Sequence, residues 1–252
     1  MESFKLLGIK VHSLNVSELH ERIMETIQKN QKLLVLNVNI NAYFIAKKDS
    51  AFKDILNHAG IVFCDGLGVK LGARILGFHI IEKITYATWF PQLSKICEKN
   101  GFSMFLLGGK PGIAEEAAKK LIEKFPKLRI VGFHHGYFSK EGQENDIIVN
   151  EINQLQPDIL LVSFGMPFQE KWIWTNCGRI SAKVYLAGGA CLDYASGRVP
   201  RAPTWILWLG MEWLFRFVLE PKRLWRRYII GNTWFIMKLL KIRVWDGKHA
   251  HY

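Results

Sequence analysis

No run of 18 apolar residues occurs anywhere in this 252-residue chain, so no helix of it is expected to span a bilayer. Its greasiest stretch, Trp205 to Leu219, is broken by Glu212 and Arg216. The N-terminal "MESFKLLGIKVHSLN" lacks the long apolar core of a signal peptide, and a cytoplasmic protein is the expectation. Cysteine is scarce. Cys64, Cys97, Cys177 and Cys191 form no CxxC pair and no metal-type spacing, and each adjoins an apolar run, which predicts buried, reduced thiols. The pair His134-His135 has no third ligand nearby in sequence, so no metal site is expected there. Asp-x-Asp is absent, and no Gly-Lys-Ser/Thr follows a glycine-rich loop, which excludes a P-loop ATPase. Internal repeats and low-complexity tracts are absent too.

Acidic residues are also in short supply, 22 against 34 Lys and Arg, and the resulting charge of +12 points to an anionic partner. The surplus is concentrated. From Arg198 to Tyr252 there are eleven Arg or Lys against Glu212, Glu220 and Asp246, so eight of the twelve net charges lie in the last fifth. Six of the nine Trp lie there as well. The stretch "LEPKRLWRRYIIGNTWF" (219–235) is both basic and greasy, which suits nucleic acid, an anionic membrane or a phosphorylated substrate. No helix-turn-helix or RNA-binding signature accompanies it, and the charge lies outside the core pattern, so nucleic acid is the weaker reading. A non-catalytic membrane-associated protein is the other alternative to an enzyme.

An apolar fraction of 49% suits a folded globule. Short β-branched runs at 33–39, 60–64, 103–108, 128–134, 158–165 and 183–189 alternate with helical patterns. Leu19, Ile23 and Ile27 mark one helix over Ser17–Lys29; a second follows Pro111-Gly112 and a third follows Ser163-Phe164-Gly165. Continuous apolar strands joined by helices predict an α/β fold: a Rossmann-like, open, mostly parallel sheet covered on both faces. "SGRVPRAPTW" (196–205) interrupts the pattern, and no strand is expected after it. The chain thus divides into an α/β core, 1–197, and a basic, aromatic-rich helical appendage, 198–252, expected to be separable.

In such sheets ligands bind beyond the carboxyl ends of the strands. "LLGGKPG" (106–112) places Gly108 and Gly109 there, where bare N–H groups and a helix N-terminus suit an anion. Such a loop is equally often a tight turn. "FCDGLG" (63–68) puts Asp65 at a strand end, where it either serves chemistry or caps the next helix. "NVNIN" (37–41) ends a strand with Asn37 and Asn39 among three Asn, suited to gripping a sugar or to making a turn. "FGMPFQEKW" (164–172) offers Gln169, Glu170 and Trp172 at a strand-to-helix turn, or an ordinary helix start with a buried Trp.

The segments "CDGLGV", "FLLGGKPGIAEEAAKKL", "FGMPFQEKW", "DYASGRVPRAP" and "MEWLFRFVLEPKRLWRRY", in that order, resemble the WecG/TagA/CpsF family of bacterial glycosyltransferases, glycosyltransferase family 26, from about residue 5 to 230. The resemblance implies an inverting hexosyltransferase. It would move N-acetylmannosamine, its uronic acid or a hexose such as glucose from a UDP-sugar to a polyprenyl-diphosphate-linked sugar in surface polysaccharide synthesis. It implies Asp65 as catalytic base, Asn39 beside the acceptor, Gln169 in the active site, and Arg216, Arg223, Arg226 and Arg227 as a C-terminal arginine set. Asn37 replaces a Thr found in many members, and "TYAT" (85–88) replaces a Gly-x-Asp; both leave the donor sugar open.

The residues support that chemistry on their own terms. Single displacement needs a carboxylate to take the acceptor proton, and Asp65 has the position. The departing diphosphate needs positive charge. With no Asp-x-Asp to hold a metal, no cofactor is expected and the tail's arginines are the source. Were 212–227 continuously helical, Arg216, Glu220, Arg223 and Arg227 would share one face, with Leu214, Val218, Trp225 and Ile229 away from it to meet lipid. The expected location is the inner face of the cytoplasmic membrane, with homo-oligomerisation left open.

Overall fold

The structure, a computed structural model, describes residues 1–208 and 210–246. The last six residues of the appendage lie outside the described residues. In chain order come strands β1 (Glu2–Leu6) and β2 (Ile9–Ser13), helix α1 (Val16–Gln28), β3 (Leu33–Val38), α2 (Ile40–Ala46), α3 (Ser50–His58) and β4 (Ile61–Cys64). Then follow α4 (Leu67–Ile75), α5 (Tyr86–Asn100), β5 (Ser103–Gly108), α6 (Ile113–Lys124), β6 (Arg129–His134), α7 (Gly142–Leu155) and β7 (Ile159–Ser163). The core closes with α8 (Phe168–Asn176), β8 (Val184–Ala187) and α9 (Cys191–Ala195). The appendage holds α10 (Thr204–Trp208), α11 (Glu212–Leu219), α12 (Pro221–Trp225), a π-helical turn (Arg226–Gly231) and α13 (Asn232–Asp246).

The eight strands form one sheet in the order β1-β2-β4-β3-β8-β7-β5-β6, parallel except for the β1–β2 hairpin. The α/β class and the six apolar strands agree with the sequence pattern. The hairpin was not expected. Leu6 pairs with Ile9 across a two-residue turn in which Leu7 (φ 48°) and Gly8 (φ 78°) both take positive φ. Such a turn is usually signalled by Asn-Gly or Asp-Gly; Leu-Gly gives no such cue.

Each sheet face carries its own core. On one side α2, α3, α4, α7 and α8 contribute Tyr43, Phe52, Val69, Ile148 and Trp172; on the other α1, α5, α6 and α9 contribute Leu19, Trp89, Ala117 and Leu192. The chain therefore leaves adjacent strands β3 and β8 toward opposite faces, and likewise β7 and β5. These are topological switch points, which open a crevice at the strands' carboxyl ends.

The appendage is helical, and its last helix packs into the core. Phe235 and Leu239 of α13 are buried in the first core, with the Phe235 ring 5.3 Å from that of Tyr43. Gly72 admits them: a Cβ there would lie 2.9 Å from atoms of both side chains. Three of the cysteines are buried as expected, whereas Cys177 is only half-buried. Among the described residues no helix is long and apolar enough to cross a membrane.

Candidate active site

Strands β3 and β4 run in parallel register, Val38 beside Cys64, so that Asn39 and Asp65 leave the sheet together. The Asp65 N–H donates to Val38 O (2.8 Å), fixing its backbone to the end of β3. Asn37 Nδ2 donates to Asp65 Oδ2 at 3.0 Å. Asn39 caps α2, its Oδ1 accepting from Ala42 N at 3.2 Å, and its side chain also hydrogen-bonds to Asp65. Of the two roles expected at this strand end, the turn-making one is seen at Asn39. Asp65 does not cap α4, whose N-cap is Gly66 at φ 106° with no side-chain bond.

Asp65 keeps some solvent access while being densely surrounded by protein. Burial pushes its carboxyl up to about 6, helped by the negative charge of Glu212 and opposed by Arg227, the Asn39 hydrogen bond and Lys83. A carboxylate tuned upward in this way is a stronger proton acceptor than an exposed Asp and is still mostly ionised at neutral pH.

The arginines reach this crevice from a broken helix, not a continuous one. Glu220 (φ −136°, ψ 56°) ends α11 and Pro221 starts α12, so the single face expected over 212–227 does not exist. Its members still converge, by chain folding. Arg227 acts on Asp65, while Arg216 and Arg223, with Arg198, act on Asp193 of α9, whose carboxyl is raised by burial against their opposing pull. Arg216 also stacks over Tyr194, 5.2 Å from the ring centroid, and Arg223 pairs with Glu220. Arg226 departs from the set: it is exposed and lies over its neighbour Trp225, 5.3 Å from the centroid.

Other residues expected to bind ligand have partners within the protein, although one buried carboxylate oxygen, Glu170 Oε2, has none among the described residues. Gln169 is fully buried; its Oε1 accepts from Gly165 N (3.1 Å) and Gly189 N (2.9 Å), tying the β7–α8 loop to the β8–α9 loop. Gln169 Nε2 donates to Glu170 Oε1 (2.9 Å), and Glu170 is fully buried as well, its carboxyl raised to about 7 by burial against that hydrogen bond. Here both residues hold the crevice walls instead of lining it. Gly109 is likewise not bare: its N–H donates to Ser163 O (3.2 Å). Gly108 (φ 144°) is required because a Cβ would fall 2.4 Å from that same Ser163 oxygen. The glycines therefore serve close packing of β5 on β7. A polar residue type at a strand end does not reveal which of its atoms already have partners within the protein.

Sequence reasoning also passed over Asp193, Tyr194, Arg198 and Lys83. Only "DYASGRVPRAP" carried a signal for the first three. Among the described residues no three His, Cys, Asp or Glu side chains gather where they could hold a metal ion.

The pattern of the "Glycosyl transferase WecG/TagA/CpsF family" matches residues 4–249. An N-acetylglucosaminyldiphosphoundecaprenol N-acetyl-beta-D-mannosaminyltransferase of Bacillus subtilis (strain 168) is 29% identical over 196 residues, 78% of this chain and 75% of that protein. The enzyme of the same name from Staphylococcus aureus (strain MRSA252) is 27% identical over 223 residues, 88% of this chain and 86% of its own. The chain belongs to the WecG/TagA/CpsF family of glycosyltransferases.

Proposed function

We propose that this glycosyltransferase moves a sugar, with inversion, from a UDP-sugar to a polyprenyl-diphosphate-linked sugar at a membrane surface. N-acetylmannosamine is the leading donor sugar because both relatives are named for its transfer. The observation that carries the reading is the pairing of Asp65, half-buried and held by two Asn side chains, with arginines brought to the same crevice by the tail. Asp65 takes the acceptor hydroxyl proton as that oxygen attacks the anomeric carbon. The bond to the diphosphate breaks, and the negative charge growing on it is met by Arg216, Arg223 and Arg227 without a metal.

The appendage also presents apolar surface. Val218, Leu219, Trp225, Ile229, Ile236, Met237 and Leu240 are exposed on it. An open groove of about 620 Å³ is lined by Ile229, Ile230, Trp234 and Met237, together with Thr233, Lys238 and Lys241. Aromatic and aliphatic side chains among cations suit the interface of an anionic membrane, where a lipid-linked acceptor resides.

This division of labour is testable by measuring turnover and vesicle binding in the same two variants. Arg223→Ala removes a charge-assisted contact worth about 1.5–3 kcal/mol and is expected to reduce turnover roughly ten- to a hundredfold with vesicle binding retained. Trp225→Ala is expected to weaken binding to anionic vesicles and to spare turnover of a soluble, short-chain acceptor. Parallel losses of both quantities in both variants would show the tail to be one undivided sticky surface.

A further inference from the structure

The loop between β6 and α7 has no role in the account so far, yet it overhangs the crevice. Gly136 N donates to Gly109 O (2.8 Å), and a Cβ added at Gly136 would lie 3.3 Å from Gly108 Cα and 2.9 Å from the Phe164 ring. The loop that leaves edge strand β6 thus folds back over the ends of β5 and β7. It is clamped from beneath. Lys140 Nζ donates to Gly136 O (2.6 Å) and Phe138 O (2.9 Å), and sits 3.5 Å and 4.2 Å from the ring centroids of Phe138 and Phe164. Burial lowers this ammonium to about 8, so it remains charged at neutral pH, which favours its seat over the ring faces. Within this fixed loop one large side chain is left uncovered: Tyr137, 64% exposed.

The order of strands says what could lie against it. Asp65 follows β4, and the appendage's π-turn and α13 pack on α2 and α4 beside β3 and β4, so the lipid-linked acceptor approaches from that end. Arg216 and Arg223 gather at Asp193, after β8. A donor with its sugar at Asp65 and its diphosphate at those arginines must extend its nucleoside away from the acceptor, toward β7, β5 and β6. From β8 to β5 is two strand spacings, about 10 Å, a span a nucleoside can bridge. We propose that Tyr137, on its Lys140-clamped loop, is the stacking platform for the nucleobase of the donor. Stacking binds any planar base by its π-face; it therefore contributes affinity more than base identity.

This inference rests on the reading of the protein as a nucleoside-diphosphate-sugar enzyme, and the experiment separates the two. Binding of UDP and of inorganic pyrophosphate is measured, each as a competitor of the UDP-sugar, for wild type, Tyr137→Ala, Tyr137→Phe and Lys140→Met. Base–aromatic stacking predicts that Tyr137→Ala weakens UDP roughly ten- to a hundredfold and leaves pyrophosphate affinity unchanged. Tyr137→Phe keeps the π-face and should bind UDP like wild type, whereas Lys140→Met should weaken UDP through a loosened loop. Equal UDP affinity in Tyr137→Ala and wild type overturns the platform, as does a matching loss of pyrophosphate affinity. A wild-type protein that binds neither UDP nor any UDP-sugar instead removes the functional reading beneath it.

Discussion

Replacing Asp65 by Asn is expected to lower turnover by roughly 10²–10⁴-fold, the usual contribution of a general base, while the affinity for UDP stays nearly unchanged. Asn preserves the size of the side chain and an oxygen to accept from Asn37, so the crevice should keep its shape; only proton acceptance is lost. The pH profile carries the same claim. Burial raises the carboxyl to about 6, and the working form is the ionised one. Wild-type kcat/KM should therefore fall as pH drops through about 6, and the variant's residual rate should lack that acid limb. Near-wild-type turnover of folded Asp65→Asn would remove the residue from the mechanism.

The second large effect concerns stability. Phe235 comes from the appendage but is 1% exposed, packed against Tyr43 and admitted by Gly72. Truncating a buried Phe typically costs about 3–5 kcal/mol through lost burial and the cavity left behind. Phe235→Ala should accordingly shift the urea midpoint far downward, whereas Ile236→Ala, at a position 53% exposed, should hardly move it. By the same packing, removal of residues 198–252 would strip a wall from the core and expose apolar surface on α2 and α4. An unchanged midpoint for Phe235→Ala would mean that the tail docks without supporting the fold.

What the sequence made legible follows from what each signal encodes. The parallel strands are apolar runs, so β3 to β8 could be read almost to their ends. The β1–β2 hairpin could not, because its Leu-Gly turn needs positive φ at a residue that rarely advertises it. In α13 apolar residues lie all round the helix; Phe235 and Leu239 face the core while Ile236, Met237 and Leu240 stay exposed. Periodicity alone cannot tell an outward apolar face from a buried one there, so the appendage read as detachable.

The site divides along the same line. The convergence of Asp65, Asn37 and Asn39 follows from neighbouring parallel strands that end together, a position the sequence already shows. That Gln169 and Gly109 have partners within the protein was not legible, because Gly189 and Ser163 lie on other loops. The arginine face was drawn through Glu220, whose non-helical backbone precedes a Pro the sequence does show. The arginines reach the crevice regardless, because the chain turns there and continues.

The central claim is metal-free transfer to a lipid-diphosphate-linked sugar, with Asp65 as base and arginine as the counter-charge. Its most direct test is UDP release by the wild-type protein in excess EDTA, from UDP-N-acetylmannosamine and other UDP-sugars. A synthetic lipid-diphosphate-sugar acceptor is either present or omitted. The account predicts acceptor-dependent UDP release that EDTA does not diminish. Release that collapses in EDTA and returns with Mg²⁺ or Mn²⁺, or no acceptor-dependent release from any UDP-sugar, would contradict it.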